Sequence, residues 1–320
     1  MTSAFVRTTL VGVLAAAALT AGWPVRAGAA GAPLSQVRIA RHFDLAGYQM
    51  PENIALEPDG VVDLSFSAAR QIVRLHGDGR IEVLATLPLP ADGTAPTPVT
   101  GVPVVTGLVL ADDGTRFFLY SAGSADLNGL WSLAPGGTPR RIAALPADGM
   151  PNGLTLDEAT HRLYVSDALR GEIRTVPTTG GPATLWAAGP ALAAGGALGA
   201  NGLKFHGGAL WAANSGQGTV LRIPVDTAGR AGTPEVRASD LPGIDDFAFT
   251  GCGDRLLATL NQSDQVALVE PDGTHTIVLT AQDGLQNPTS VAVRGDTVYV
   301  PSAAYVTRTD PNLLVAHLQH

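Results

Sequence analysis

Pro151-Asn152-Gly153-Leu154-Thr155-Leu156 returns with the same shape at Ala200-Asn201-Gly202-Leu203-Lys204-Phe205. In both, an oxygen-bearing side chain is followed by apolar residues two and four places on. That period of two marks a β-strand with one face in a core. Four looser copies complete the series: Pro51-Glu52-Asn53-Ile54-Ala55-Leu56, Val105-Thr106-Gly107-Leu108-Val109-Leu110, Ile244-Asp245-Asp246-Phe247-Ala248-Phe249 and Pro288-Thr289-Ser290-Val291-Ala292-Val293. Their second positions are 52, 106, 152, 201, 245 and 289, at intervals of 44 to 54 residues. A pattern that recurs at such a period is the signature of a repeat architecture.

The rest of each unit repeats as well. A turn such as Pro58-Asp59-Gly60 or Asp112-Asp113-Gly114 follows the opening strand. A second strand is expected at Arg116–Tyr120, Arg162–Ser166, Leu210–Ala213, Arg255–Leu260 and Thr297–Pro301. Third strands are expected at Ile72–Leu75, Val220–Ile223 and Val266–Val269, and fourth strands at Ile81–Leu84, Arg141–Leu145, Thr184–Ala187 and His275–Leu279. Four strands in about 48 residues describe a propeller blade. The sequence therefore predicts an all-β, six-bladed β-propeller with four antiparallel strands per blade; a pair of β-sandwiches is the alternative. The last unit ends after its third strand, Asn312–Leu318, and Val37–Phe43 precedes the first unit as an unassigned strand. This N-terminal strand is expected to complete the last blade and close the ring, covering an otherwise unpaired edge.

Composition narrows the function classes. The 320 residues are 45% hydrophobic and 15% charged, with 38 Gly and 23 Pro, which suits a large core and many tight turns. The net charge is -8 and no Lys/Arg cluster occurs, so no nucleic-acid partner is expected. Arg7, the apolar run from Thr9 to Gly22 and Ala27-Gly28-Ala29 read as a secretory signal peptide over residues 1–29. The apolar run is shorter than the roughly 20 residues a membrane span needs. A secreted or periplasmic protein is expected, with residues 30–320 as a single propeller domain and no membrane attachment after cleavage. The lone Cys252 cannot form an intramolecular disulfide.

In a ring of blades the opening strands are innermost, so matching positions converge on the axis. The second positions hold Glu52, Thr106, Asn152, Asn201, Asp245 and Thr289, all oxygen-bearing. Two carboxylates with neutral amide oxygens suit a hard divalent cation, Ca²⁺ best of all. With no His or Cys among them, zinc and copper are disfavoured. Asn or Asp before Gly is also a common turn former, which is the competing reading of each position taken singly.

The order of these motifs resembles the senescence-marker protein/gluconolactonase/luciferin-regenerating-enzyme family of six-bladed propellers, and more distantly the paraoxonase-type lactonases. The resemblance runs over about residues 37–318. It implies a central divalent metal held by Glu52, Asn152, Asn201 and Asp245. Two departures stand out. The Pro-Asp-Gly of that family reads Ile244-Asp245-Asp246, and a sugar-contacting Asn-Asp-Gly reads Val105-Thr106-Gly107. No counterpart of the paraoxonase His dyad is found among the seven histidines.

The expected function is hydrolysis of lactones or related esters, a small-molecule reaction. The metal would polarise the carbonyl and Asp245 or Asp246 would activate water. Thr106 and Thr289 on the axis, and Asp167, Asn214 and Asn261 in loops on the same face, are the expected substrate contacts. Ala304-Tyr305 lies in another such loop. A strictosidine-synthase-like condensing or cyclising enzyme, and a non-catalytic binding propeller with structural calcium, remain alternatives on the same scaffold.

Overall fold

The alternating apolar residues of each opening hexapeptide can be buried only if sheets stack face to face. The computed structural model describes residues 32–91, 97–196 and 198–319. The expected signal peptide at 1–29 lies outside the described residues. From Ala32 onward the chain forms one compact unit built of six four-stranded antiparallel sheets. Blade 1 runs Pro51–Leu56, Val62–Phe66, Gln71–Leu75 and Ile81–Thr86 from the axis outward. Blades 2 to 5 keep that order and open with Val104–Leu110, Pro151–Asp157, Ala200–His206 and Ile244–Phe249. The opening strands of adjacent blades touch one another all the way round, which places them about the axis.

Blade 6 contains Ala292–Arg294, Thr297–Ser302 and Asn312–Leu318, and its fourth strand is Leu34–His42 from the start of the domain. Leu34 faces Leu318 and His42 faces Asn312 in an antiparallel ladder. The closing strand begins earlier than Val37, because Leu34 is buried against the blade 5–blade 6 core.

Apolar side chains gather into six clusters, each spanning two adjacent blades. Ile72 and Leu87 of blade 1 pack with Phe118 and Trp131 of blade 2, and Phe43 and Leu313 with Leu64 and Phe66 across the closing seam. The core is thus a ring of interfaces around a polar axis.

The polar axis depends on a bulge. Pairing slips between Pro51 and Asn53, Val105 and Leu108, Pro151 and Leu154, Ala200 and Leu203, and Ile244 and Phe247. Such an insertion re-aims side chains and frees a ladder amide. In blades 1, 3 and 5 a second-strand hydroxyl takes up the freed amide. Asn53 N donates to Ser65 Oγ at 3.0 Å, Gly153 N to Ser166 Oγ at 2.8 Å and Asp246 N to Thr259 Oγ1 at 3.1 Å. The same hydroxyls donate to the next blade, at Thr106 O (2.8 Å), Asn201 O (2.6 Å) and Thr289 O (3.4 Å).

Asn152-Gly153 and Asn201-Gly202 are therefore strand residues, not turn formers. Their glycines answer to close approach, since neither has a positive φ. A Cβ on Gly153 would lie 2.1 Å from Asn201 O, and one on Gly202 would lie 2.4 Å from Asp246 Oδ1. Gly153→Ala is expected to cost about 1–3 kcal/mol or more, because backbone of the next blade must move. Urea denaturation measures this; an unchanged midpoint would contradict the packing account.

Candidate metal centre on the propeller axis

In blades 1 to 5 the bulges fall at the second and third positions of the opening strand, and the residues at these positions form two polar layers. The outer layer comes from the second positions. Glu52, Asn152 and Asn201 are 6%, 6% and 3% exposed. Asn201 Nδ2 donates to Asp245 Oδ1 at 2.8 Å and to Ser215 Oγ at 2.8 Å. Asn261 Nδ2 donates to Asp245 Oδ2 at 3.1 Å. Tyr305 Oη donates to Glu52 Oε2 at 2.5 Å.

The orientation of the Asn201 amide follows from its neighbours. Ser215 Oγ already donates to Ile244 O at 2.5 Å, so it and Asp245 both require a donor. That leaves Asn201 Oδ1 buried with no hydrogen-bond partner. An unpaired buried acceptor costs about 1–3 kcal/mol, and buried polar atoms in folded proteins are otherwise nearly always satisfied. A bare carbonyl oxygen near the buried carboxylate of Glu52 and the half-buried one of Asp245 is the donor set of a hard cation. Among the described residues no three His, Cys, Asp or Glu side chains form a metal cluster. The axial set instead combines two carboxylates with amide oxygens, and these residues fit a divalent cation.

The electrostatics agree. Burial pushes the Glu52 carboxyl up to about 7, with the Tyr305 hydrogen bond opposing and the Asp246 charge adding to the rise. Asp245 is raised well above the ordinary carboxylate range by burial, then by the charges of Glu52 and Asp246, against the Asn201 and Asn261 hydrogen bonds. Burial also raises the Tyr305 phenol, and the Glu52 charge adds to it. A raised carboxyl binds its proton more tightly in the folded than in the unfolded state. Its stabilising effect is present below the unfolded pKa and is lost as pH rises through the folded one. The cation-free protein should lose stability between about pH 4.5 and 7, by up to roughly 1.4 kcal/mol per pH unit for Glu52 alone. Melting curves across that window test this; stability that rises with pH there would contradict it.

The inner layer comes from the third positions. Blades 2, 3 and 4 have glycine there, whereas blades 1, 5 and 6 carry Asn53, Asp246 and Ser290, and these three meet. Ser290 Oγ donates to Asp246 Oδ2 at 2.7 Å and Asn53 Nδ2 to the same oxygen at 3.4 Å. Lys204 Nζ, from the neighbouring blade, donates to Asp246 Oδ1 at 2.6 Å. Asp246 was expected beside Asp245 as a candidate base. It lies instead in this second layer, 3% exposed and with both oxygens engaged. The bulge turns the two neighbours to different partners.

The expected substrate contacts divide in the same way. Asn261 belongs to the axial cluster. Thr106 Oγ1 donates to Pro151 O at 2.8 Å and Thr289 Oγ1 to Pro51 O at 2.9 Å, so both hydroxyls join blades. Asp167 Oδ1 accepts from the amides of Met150, Leu169 and Arg170. Asn214 Nδ2 donates to Ala191 O and Ala193 O, and its Oδ1 accepts from Gln217 N. Asp167 and Asn214 are buried and tie down their own loops.

Two participants escaped the sequence reading. Tyr305 lies in the expected entry loop and donates to Glu52; the residue before it, Ala304, has a left-handed backbone, φ 53°. Lys204 carried a signal that was there to find. It is the only lysine of the chain, and it sits inside one of the repeated hexapeptides.

No family model and no curated protein matches the sequence. Solved structures share the fold. A candidate gluconolactonase superposes with a TM-score of 0.64 at 18% identity, over 90% of this chain and 95% of that one. A calcium-binding protein, regucalcin, from Agrobacterium tumefaciens gives 0.63 at 16% identity, over 87% and 93%. A luciferin-regenerating enzyme gives 0.63 at 13% identity, over 88% and 94%. At these identities the likeness establishes the six-bladed propeller fold.

Proposed function

We propose that this chain is a divalent-metal-dependent hydrolase of lactones or related esters, with the cation on the propeller axis. The observation that carries the reading is the unpartnered, buried Asn201 Oδ1 beside the paired carboxylates of Glu52 and Asp245. Asn152 is the fourth proposed ligand, and Ca²⁺ the proposed ion, because every donor is oxygen. The cation, when bound, polarises the ester carbonyl and stabilises the oxyanion that develops on it.

The chain's own groups do the rest. Asn201 and Asn261 hold Asp245 by one oxygen each, which fixes the carboxylate plane at the mouth of the axis. Asp245 is the group assigned to take a proton from the attacking water. Asp246 is not, because it is 3% exposed in the inner layer with the Lys204 ammonium on one oxygen, whereas Asp245 is only half-buried. Tyr305 orients Glu52 through its phenolic O–H. As the water oxygen bonds to the acyl carbon, the ring C–O bond breaks and a hydroxy acid results. Like the candidate gluconolactonase, the chain is read as acting on a small molecule, and the calcium-binding regucalcin supports the choice of ion. Export belongs to the same proposal, with a mature N-terminus near Ala30.

The test is a panel of lactones and aryl esters, assayed after chelation and after return of Ca²⁺. Hydrolysis that disappears with the metal and returns with it is the expected result. Condensation without hydrolysis, or cation binding with no turnover of any ester, would replace this reading.

A further inference from the structure

A second site lies at the opposite end of the molecule, on the seam where the ring closes. The axial centre is approached through loops that join second to third strands. The other end carries the turns from first to second and from third to fourth strands. There, between blades 6 and 1, is a groove of about 360 Å³. Arg38 and Arg41 of the closing strand line one wall with His317, and His76 lines the other.

Arg38 and Arg41 line the groove, and Arg294 lies behind it beside Gly60; none of the three is in an ion pair found among the described residues. The chain as a whole carries a net charge of -8, so this groove is locally opposite in sign. Glycines leave the guanidinium groups room. Arg41 Nη1 lies 3.7 Å from where a Cβ on Gly79 would be, and Arg294 Nη1 lies 3.7 Å from where one on Gly60 would be. Arg294 Nη1 is buried and has no hydrogen-bond partner. A buried N–H of a charged group without an acceptor is costly, and a guanidinium fork matches an oxyanion in two bonds at once.

Three carboxylates of blade 1 on this side are engaged elsewhere. Asp59 Oδ1 accepts the amide of Val61 and Asp78 Oδ1 that of Arg80, each within its own turn. Glu82 is held by His76 at 2.9 Å and faces Arg74 at 3.8 Å.

We propose that this groove is a binding site for a small oxyanion with two or more negative charges, which bridges the closing strand to blade 1. It is independent of the axial centre. Because the anion would contact both sides of the seam, it stabilises the closed ring by mass action.

Calorimetric titration and thermal melting with pyrophosphate, inorganic phosphate and citrate test the site, with sodium chloride at matched ionic strength as control. Two variants report on it. Arg41→Gln removes a guanidinium from an exposed strand. Gly77→Glu places a carboxylate at the groove, at a position where a Cβ meets nothing within 4 Å. Both should melt like the wild type without anion. Both should bind at least about ten-fold more weakly, a loss of roughly 1.4 kcal/mol. An Asp245→Asn variant, which disables the axial centre, should bind the anion as the wild type does. That control separates failure of this site from failure of the hydrolase reading. Equal binding by wild type, Arg41→Gln and Gly77→Glu would overturn the proposal. So would a response that chloride reproduces, or anion binding lost in Asp245→Asn and kept in the groove variants. Preference among the three probes separates a phosphate source from a carboxylate source.

Discussion

Asp245→Asn will bind divalent cation roughly 100-fold more weakly than the wild type, because it removes one of two ligand charges around an ion whose affinity follows ligand charge count. The loss has a second origin. The Asp245 carboxylate accepts from two amide groups, Asn201 Nδ2 and Asn261 Nδ2. An asparagine at this position offers one acceptor and one donor, so one of those amides then faces a donor. The cation-free variant should nevertheless be as stable as the wild type near neutral pH, or more so, because the cost of burying the Asp245 charge, and its repulsion by Glu52 and Asp246, are gone. Weaker cation binding with undiminished apo stability marks a ligand; a loss of both would mark a structural residue. Glu52→Gln should show the same pair of effects. Isothermal titration with chelated protein and chemical denaturation give both readouts. Wild-type affinity in both variants would remove these residues from the site.

The largest loss of stability is expected at the inner layer. Lys204 and Asp246 are 28% and 4% exposed at their side chains and 2.6 Å apart. Lys204→Met keeps the aliphatic bulk and strands the Asp246 carboxylate among Ser290 and Asn53. Breaking one half of a buried pair costs about 3–5 kcal/mol, whereas removing both charges is often close to neutral. The double variant Lys204→Met/Asp246→Asn should therefore recover most of the loss. Urea midpoints for the two single variants and the double variant close the cycle. A single-variant cost below about 1 kcal/mol, or no recovery in the double, would mean that the pair is a solvated surface contact.

The repeat was legible because every blade must bury the same face. Ile54/Leu56, Leu154/Leu156 and Phe247/Phe249 keep their alternation whatever the blade's role, and that was enough to number six units. The closing strand was legible from arithmetic, since a blade lacked one strand and the chain had one to spare. The bulges were not, because a one-residue slip leaves no mark in the hydrophobic pattern. Without them Asp246 reads as a twin of Asp245, and the glycines after Asn152 and Asn201 read as turn residues. The loop-tying bonds of Asp167 and Asn214 were hidden for a related reason. A carboxylate or amide on a functional face looks the same in sequence whether it meets substrate or ties down its own loop. Tyr305 reaches Glu52 across 253 residues, a pairing that only the closed ring creates.

The claim on which the account rests is that a cation completes Asn201, Asp245 and Glu52. Diffraction from crystals grown with Ca²⁺, with anomalous differences used to locate the ion, tests it most directly. The account predicts one axial peak with Asn201 Oδ1 and oxygens of Asp245 and Glu52 at about 2.3–2.6 Å, and Asn152 completing the protein ligands. An axis without a cation, or an ion held elsewhere while Asn201 Oδ1 has no cation as neighbour, would contradict it.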